Sequence, residues 1–259
     1  MPGQYGKVDF RASGAHWRGF AAGDAAGFAA LCGKLDGPGA VLCKDRPKIT
    51  AGNVDGYFVK RCNLPGLLTQ LRRRLRTPRP WRALTGARQL AALGIDTPVV
   101  FAALTETRIW VRREFLVTAA LGPETEFFNR ALDRGASPET IWRKLMEDVL
   151  PLLVRLHDSG WTHGDANLRN VYMRPDGRCG MVDLDGMRRC RGGVAARFRA
   201  GETARLVSSF MICARETGDA AERCREAAER YTAAGNFRLD AASVRRAIRP
   251  LLERGKRYR

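Results

Sequence analysis

WTHGDANLRNVYMRPDGRCGMVDLD, residues 161–185, is the stretch that decides the fold. Its middle contains Asp176-Gly177, a pair that is typical of two-residue hairpin turns. Short apolar runs flank this turn at 171–173 and 180–183, so the stretch predicts two antiparallel strands joined by the turn. A loop rich in polar residues precedes the first strand, and a carboxylate ends the second.

Two carboxylates and one carboxamide lie at the outer ends of this predicted hairpin. Asp165 and Asn170 are five residues apart in one loop, so both side chains can face one cleft, and Asp183 returns on the second strand. Carboxylate and amide oxygens suit Mg²⁺, which keeps several waters and takes one or two carboxylates together with substrate phosphates. The pattern therefore predicts a magnesium site at these side chains.

The rest of the chain changes from strands to helices. Four β-prone runs precede the hairpin, at residues 40–43, 57–60, 98–102 and 114–118. Helical patterns cover 64–93 and a stretch that begins at Pro138, behind Ser137 as N-cap, and ends at Gly160. The chain after Ala195 is mostly helical. This order predicts an α+β fold with two lobes, a small strand-rich N-lobe and a helical C-lobe.

Three segments follow from these patterns. Residues 1–36 are rich in Gly and Ala, and we expect them to form a loosely helical N-terminal extension. Residues 37–118 are predicted to form the N-lobe, which starts with two strands joined across a loop. Residues 119–259 are predicted to form the C-lobe, which contains the polar hairpin.

The charge of the chain indicates an anionic partner. The sequence has 45 Lys and Arg residues against 27 Asp and Glu residues, a formal net charge of +18. This favours a nucleic acid, an acidic membrane surface or a phosphorylated or carboxylated ligand. No nucleic-acid-binding motif or cluster of aromatic residues is present, so no nucleic acid is expected. We expect Arg72, Arg73 and Arg74, in an acid-free stretch between Tyr57 and Ile95, to contact an anionic membrane or acceptor.

Cysteine spacing and hydropathy give the expected location. Seven cysteines are spread along the chain and no two form a Cys-x-x-Cys pair, which argues against a disulfide framework or a zinc site. No apolar run resembles a signal peptide, and no stretch approaches 18 uninterrupted apolar residues. We therefore expect a cytoplasmic protein with reduced thiols that touches a membrane only through its basic surface.

The polar residues of the hairpin resemble the catalytic loop of kinases. In that loop an Asp takes the proton of the substrate hydroxyl and an Asn five residues later holds a metal ion. Asp165 and Asn170 fit these roles, and Asp183 fits the metal-binding Asp that follows. His-Gly-Asp at 163–165 and Val-Asp-Leu-Asp-Gly-Met-Arg-Arg at 182–189 further resemble the bacterial lipopolysaccharide core kinases, which phosphorylate Kdo or heptose.

This resemblance implies a protein-kinase-like fold and transfer of the γ-phosphoryl group of ATP to a sugar hydroxyl of the inner core on lipid A. Mg²⁺ or Mn²⁺ would be the metal. Lys60 would pair the α- and β-phosphates, and the backbone of Ala119 and Leu121 would bind adenine. His163 and Asp185 are expected to support the loop. The acceptor is polyanionic and membrane-embedded, which fits the basic charge and a position at the inner membrane surface.

Three features depart from the protein-kinase pattern. The helix glutamate that usually pairs with the strand lysine is missing, because the segment that would carry it has no acid. Residues 44–53, the only place for a turn over the phosphates, contain one glycine. Gly164 replaces the arginine that reads a phosphorylated activation loop, which predicts activity without such a switch. Three alternatives stay open: a small-molecule kinase, a RIO-type protein kinase, or an impaired pseudokinase that binds an anionic partner.

Overall fold

The computed structural model describes residues 4–64, 66, 69–70, 76–108, 111–216, 218 and 220–256. The chain divides into two compact units. The first unit contains residues up to 89 together with 98–122, and the second contains 90–97 and the chain from 123 onward. The predicted boundary after residue 118 therefore falls inside the first unit.

A seven-stranded antiparallel sheet dominates the first unit. Its strands are β1 (Gly6–Ala12), β2 (Ala15–Ala21), β3 (Val41–Arg46), β4 (Ile49–Val54), β5 (Tyr57–Asn63), β6 (Val100–Arg108) and β7 (Val111–Ala119). Their order across the sheet is β1-β2-β6-β7-β5-β4-β3. Helix α1 (Ala25–Gly33) packs on one face of this sheet, and helix α2 (Arg79–Ala92) runs from the first unit into the second.

The first two strands show that one prediction is wrong. A loosely helical extension is predicted for residues 1–36, but residues 6–21 form a β-hairpin that pairs with β6. Ser13 and Gly14, both with positive φ, make its two-residue turn. Strand β2 alternates inward and outward residues around the buried Trp17. The alternation is hard to recognise in the sequence, because this strand contains Gly and Ala, which are both poor strand formers.

The core of the first unit lies between the sheet and α1. Trp17 and Phe115 pack with ring centroids 5.5 Å apart. Val59, Val117 and Leu31 are buried in the same cluster, which draws apolar side chains from five strands and one helix. Removing this apolar surface from water is the main favourable contribution to the stability of the unit.

A third strand replaces a predicted loop. The sequence predicts two strands with a loop between them, whereas residues 49–54 form β4, which pairs with both β3 and β5. The turn between β3 and β4 contains Pro47 and Lys48. The segment 44–53 is therefore a tight polar hairpin and not a glycine-rich loop.

Helix α2 accounts for the second half of the helical stretch predicted at 64–93. Gly94 follows it with a φ of +66°, the left-handed conformation that commonly ends helices. Arg72, Arg73 and Arg74 lie outside the described residues, so their contact with an anionic surface stays a prediction.

The second unit is mainly helical. Its helices are α3 (Phe128–Asp133), α4 (Pro138–Lys144), α5 (Leu150–Asp158), α6 (Ala196–Cys213), α7 (Ala220–Ala234) and α8 (Ala241–Lys256). Its short strands are β8 (Glu126–Phe127), β9 (Trp161–Thr162), β10 (Val171–Met173), β11 (Cys179–Met181) and β12 (Arg188–Arg189). Ser137 occupies the predicted N-cap position of α4. A π-helical turn, Leu145–Val149, separates α4 from α5, close to Pro151, which has no backbone donor.

Residues 90–97 join the second unit through the hairpin β10–β11. The carboxylate of Asp96 accepts hydrogen bonds from the Tyr172 hydroxyl, at 2.8 Å, and from Arg174 Nε. The backbone carbonyl of Asp96 accepts from the N–H of Met181 at 2.9 Å. Burial and the contact with Asp96 raise the pKa of Tyr172 well above its usual value, so the hydroxyl keeps its proton and stays a donor.

Large apolar side chains fill the interior of the helical unit. Trp142 and Phe210 pack with ring centroids 5.0 Å apart, and Leu153 and Leu156 are fully buried. Among the residues that the structure describes, no helix is both long enough and apolar enough to cross a membrane.

Trp17→Ala should lower the free energy of unfolding by about 3–5 kcal/mol, the usual cost of truncating a buried Trp. Only 4% of Trp17 is exposed, and its loss leaves a cavity beside Phe115. Urea titration monitored by circular dichroism measures this. Lys7→Ala, an exposed change in the same hairpin, is the control. An unchanged midpoint for Trp17→Ala would mean that the N-terminal hairpin is not part of the sheet.

Candidate active site

The hairpin β10–β11 brings the two predicted metal ligands side by side. Val171 pairs with Met181 at its open end, and the N–H of Val182 donates to the carbonyl of Asn170 at 2.9 Å. Asn170 therefore lies at the start of the first strand, next to Asp183 at the end of the second. The predicted hairpin is present, and its turn has three residues, 175–177, because the N–H of Arg174 donates to the Arg178 carbonyl at 2.9 Å.

Asn170 also holds Asp165. Its side-chain Nδ2 donates to the backbone carbonyl of Asp165 at 2.9 Å and to Oδ2 of the same residue at 3.1 Å. The amide nitrogen is used in fixing the loop, so Oδ1 is the atom of Asn170 suited to accept a further ligand. One buried side chain thus orients the carboxylate of Asp165 and presents an oxygen of its own.

Asp183 has a strained backbone. Its φ of 63° and ψ of 50° lie in the left-handed region, which costs a residue other than Gly of order 1–3 kcal/mol. Asp tolerates this region better than most side chains. The conformation turns the chain sharply from β11 into the turn Leu184–Gly186, and such strain is concentrated at functional sites.

The oxygen atoms present fit Mg²⁺. Within the described part of the chain, no group of three or more His, Cys, Asp or Glu side chains converges. Mg²⁺ needs only one or two protein ligands when waters and phosphates complete its shell. The Asp183 carboxylate and the Asn170 amide oxygen, on adjacent strand ends, would be able to form such a set, and their role as metal ligands stays a prediction.

Gly164 is required by the fold of the loop. Its φ is +88°, and a Cβ at this position would overlap the carbonyl oxygen of Gly186. Arg205 on α6 donates from Nη1 to the Gly164 carbonyl at 2.6 Å and pairs with Asp165 Oδ1 at 3.1 Å. The arginine that protein kinases carry within this motif is therefore excluded by backbone sterics, and a helix arginine contacts Asp165.

A buried glutamate anchors the loop. The carboxylate of Glu202, on α6, accepts the N–H of His163 at 2.9 Å and the N–H of Gly164. The same carboxylate contacts His157 Nε2 at 2.9 Å. Burial alone would raise the pKa of Glu202, but the hydrogen bond and charge of His157 and the His163 amide outweigh it. The pKa is lowered, and the ionised carboxylate is the form that holds the loop.

The anchor belongs to a wider buried network. His157 Nδ1 lies 2.7 Å from the Tyr231 hydroxyl, which accepts from Arg199 Nη1 at 2.9 Å. Arg199 Nη1 also pairs with Asp158 at 2.6 Å. Helices α5, α6 and α7 are thereby tied to one another behind the loop, so that Glu202 has little freedom to move.

The two predicted supporting residues differ in their surroundings. His163 is almost completely buried, and burial lowers its pKa, so the ring is neutral. Its Nδ1 accepts the N–H of Asp165 at 3.3 Å, which agrees with a structural role. Asp185 is half-buried in the turn Leu184–Gly186, and its supporting role stays a prediction.

The predicted nucleotide-binding residues lie in the first unit. Lys60 of β5 pairs with Ala51 and Leu116, so it faces away from the core that contains the neighbouring Val59. Ala119 ends β7, and its N–H already donates to the Val99 carbonyl at 2.8 Å.

Ala119 can therefore offer adenine only its carbonyl oxygen. Leu121 follows in the irregular segment after β7. The Ala119 carbonyl also accepts the Thr118 hydroxyl at 3.2 Å. Binding of adenine by these groups stays a prediction.

Comparison with known proteins places the chain in a family. Residues 50–233 match the Lipopolysaccharide kinase (Kdo/WaaP) family, and this segment includes Lys60 and the whole hairpin site. The chain belongs to this family. The α+β, protein-kinase-like fold predicted for it is confirmed, since the match covers most of the chain and both units.

Two individual proteins resemble this member of the Kdo/WaaP family. A 3-deoxy-D-manno-octulosonic acid kinase from Xylella fastidiosa (strain M12) is 33% identical over 81 residues, 30% of this chain and 29% of that kinase. The aligned part thus spans less than a third of this curated relative. The solved structure of WaaP in complex with acyl carrier protein has a TM-score of 0.54 at 20% identity, covering 88% of this chain and 90% of that one. This likeness shows a shared fold.

The sequence analysis missed two residues of the site. Glu202 and Arg205 lie more than 35 residues downstream of the loop that they contact. They are three residues apart on α6, so they share one helix face. Both residues contact the backbone of the loop, which leaves no sequence signal, and their side-chain partners, His157 and Asp165, are about 40 residues or more away in the sequence.

Glu202→Ala should lower the free energy of unfolding by about 3–5 kcal/mol, because two backbone amides and His157 lose a buried charged partner. Glu202→Gln keeps one acceptor and should cost less. Since the pKa of Glu202 is lowered, its contribution is fully present above its ordinary value and disappears as the pH falls below about 4. Denaturation of the three proteins across pH 3–8 tests this, and a constant difference across that range would contradict an ionised anchor.

Proposed function

We propose that this protein is an ATP-dependent kinase that phosphorylates a sugar hydroxyl, of Kdo or heptose, in the inner core of lipopolysaccharide. One observation carries the proposal: Asn170, which lies next to Asp183 at the open end of one hairpin, also orients the carboxylate of Asp165. A base next to a magnesium site is the arrangement that phosphoryl transfer to an alcohol requires. Membership of the Kdo/WaaP family supports a sugar of the lipopolysaccharide core as the acceptor.

Asp165 would accept the proton of the acceptor hydroxyl as that oxygen attacks the γ-phosphorus. Half of its side chain is exposed, so an acceptor can reach it, while Asn170 fixes its orientation. Arg205 pairs with the other carboxylate oxygen and restricts its rotation. Positioning of this kind is the main source of rate in phosphoryl transfer.

Asp183 and Asn170 would hold Mg²⁺, or Mn²⁺, which when bound neutralises charge on the phosphates. Lys60 would contact the α- and β-phosphates. The backbone of Ala119 and Leu121 would bind adenine, with Ala119 using its carbonyl oxygen. Together these groups supply charge stabilisation without a covalent intermediate on the protein.

The acceptor and the location follow from charge. A formal net charge of +18 suits an acceptor that carries phosphates and carboxylates, and it disfavours the cationic acceptors of many small-molecule kinases. Lipid A is embedded in a bilayer, so we propose that the protein acts in the cytoplasm at the inner membrane surface.

Asp165→Ala should reduce the turnover number by 10²- to 10⁴-fold, the usual contribution of a general base, and leave ATP affinity within a few fold. The assay follows transfer of labelled γ-phosphate to a Kdo- or heptose-containing lipid A acceptor. Asp176→Ala, in the exposed turn of the same hairpin, is the matched control. Near-normal turnover by Asp165→Ala would exclude Asp165 as the base.

Asp183→Asn should abolish the magnesium dependence of ATP binding, because a carboxylate that neutralises the metal becomes a neutral amide. Isothermal titration of ATP with and without Mg²⁺ measures this. Unchanged Mg-ATP affinity would assign the metal to another oxygen, with Asp185 the first to test.

The assay with labelled γ-phosphate also separates the alternative kinase classes. Label transferred to added protein substrates, and not to the sugar, would favour a RIO-type protein kinase. Label transferred to small cationic alcohols would favour a small-molecule kinase.

A further inference from the structure

The segment after the candidate metal site is strongly basic. Between Asp185 and Glu202 the sequence contains five arginines and no acidic residue. Arg199 points inward, where it bonds the Val194 carbonyl and Asp158. The other four are exposed: Arg188, Arg189, Arg191 and Arg197. Their charge is therefore available to a ligand in solution or at a surface.

The backbone that carries these arginines is held in place. Arg188 and Arg189 form β12, which pairs with Thr162 and Trp161 of β9. The N–H of Cys190 donates to the Gly160 carbonyl at 2.8 Å. The segment then enters α6 at Ala196, after the buried Val194. The four exposed arginines thus lie within one ordered ten-residue segment, 188–197, which forms a basic patch along the chain.

An exposed aromatic residue lies in the same patch. Phe198, in the first turn of α6, is 47% exposed, and the guanidinium of Arg197 lies 5.0 Å from its ring centroid. Phe198 is the one large aromatic among the strongly exposed apolar side chains of the described residues. About half of the Phe198 side chain stays in contact with water, so an apolar partner would remove further apolar surface from water.

Helix stability does not explain the arginines either. The first turn of α6 contains basic side chains and no acidic one. Positive charge at this end of a helix opposes the helix dipole and lowers stability. The exposed arginines and the half-exposed Phe198 are complementary to a partner that is anionic at its surface and apolar beneath.

We propose that Arg188, Arg189, Arg191, Arg197 and Phe198, the arginine–phenylalanine surface, dock the protein on a bilayer of anionic lipids. The arginines would contact headgroup phosphates while Phe198 enters the apolar boundary below them, where aromatic side chains are favoured. The choice of a bilayer as partner rests on the proposed lipid-linked acceptor. A soluble polyanion would use the arginines but would leave Phe198 exposed.

Vesicle co-sedimentation of the full chain, without nucleotide, tests this surface. The probes are vesicles of phosphatidylcholine alone and of phosphatidylcholine with phosphatidylglycerol. Each basic residue near an anionic bilayer contributes roughly fivefold to partitioning, so Arg191→Glu with Arg197→Glu should weaken binding at least about 25-fold. Arg230→Glu with Arg249→Glu, two exposed sites on α7 and α8, changes the net charge equally and is the control. It should bind within a few fold of wild type.

Phe198→Ala separates apolar insertion from charge. Salt screens the arginines over about 8 Å at physiological ionic strength but does not weaken apolar contact. The variant should therefore lose most of the binding that remains at high salt, and Phe198→Trp should restore it. Equal loss in the Arg191/Arg197 and Arg230/Arg249 variants would overturn the proposal, since net charge alone would then explain binding. Tighter binding to single-stranded DNA than to anionic vesicles would also overturn it.

This test is independent of catalysis. Asp165→Ala should bind vesicles as wild type does, and the Arg191/Arg197 variant should phosphorylate a deacylated, water-soluble acceptor at the wild-type rate. If vesicle binding follows the expected pattern but no acceptor is phosphorylated, the proposed function fails and the docking surface stands. If phosphorylation occurs and wild type shows no preference for anionic vesicles, the docking surface fails alone.

Discussion

The loop that carries Asp165 depends on one buried carboxylate. Glu202 accepts hydrogen bonds from the amides of His163 and Gly164 and contacts His157. Because hydrogen bonds to a buried charge are strong and costly to break, this carboxylate fixes the backbone on which Asp165 is carried. The positive φ of Gly164 and its close approach to Gly186 follow from that anchoring.

The site is then completed by local structure. The hairpin β10–β11 sets Asn170 beside Asp183, and Asn170 returns two hydrogen bonds to Asp165. Helix α6, which is distant in the sequence, fixes the backbone of the loop that carries Asp165. The neighbouring hairpin β10–β11 fixes the positions of Asn170 and Asp183. The same helix begins in the arginine–phenylalanine surface and carries both Glu202 and Arg205, so one element links the proposed docking surface to the loop.

Sequence patterns predicted the parts whose determinants are local. The Asp-Gly turn and the five-residue spacing of Asp165 and Asn170 were enough to place the hairpin and the carboxylates. The N-terminal hairpin was mistaken for a helical extension, because burial of Trp17 in the sheet outweighs the weak strand propensity of Gly and Ala. Glu202 was missed because two of its partners are backbone amides, which look the same in every sequence, and its side-chain partner His157 is 45 residues away.

The most direct test is the identity of the phosphorylated product. Purified protein, ATP and Mg²⁺ are incubated with lipid A that carries inner-core sugars, and the product is located by fragment mass spectrometry and ³¹P NMR. We expect one new phosphate monoester on a Kdo or heptose hydroxyl, absent with the Asp165→Ala variant. Phosphate on lipid A itself, on the protein, or in the same amount with the variant would contradict the account.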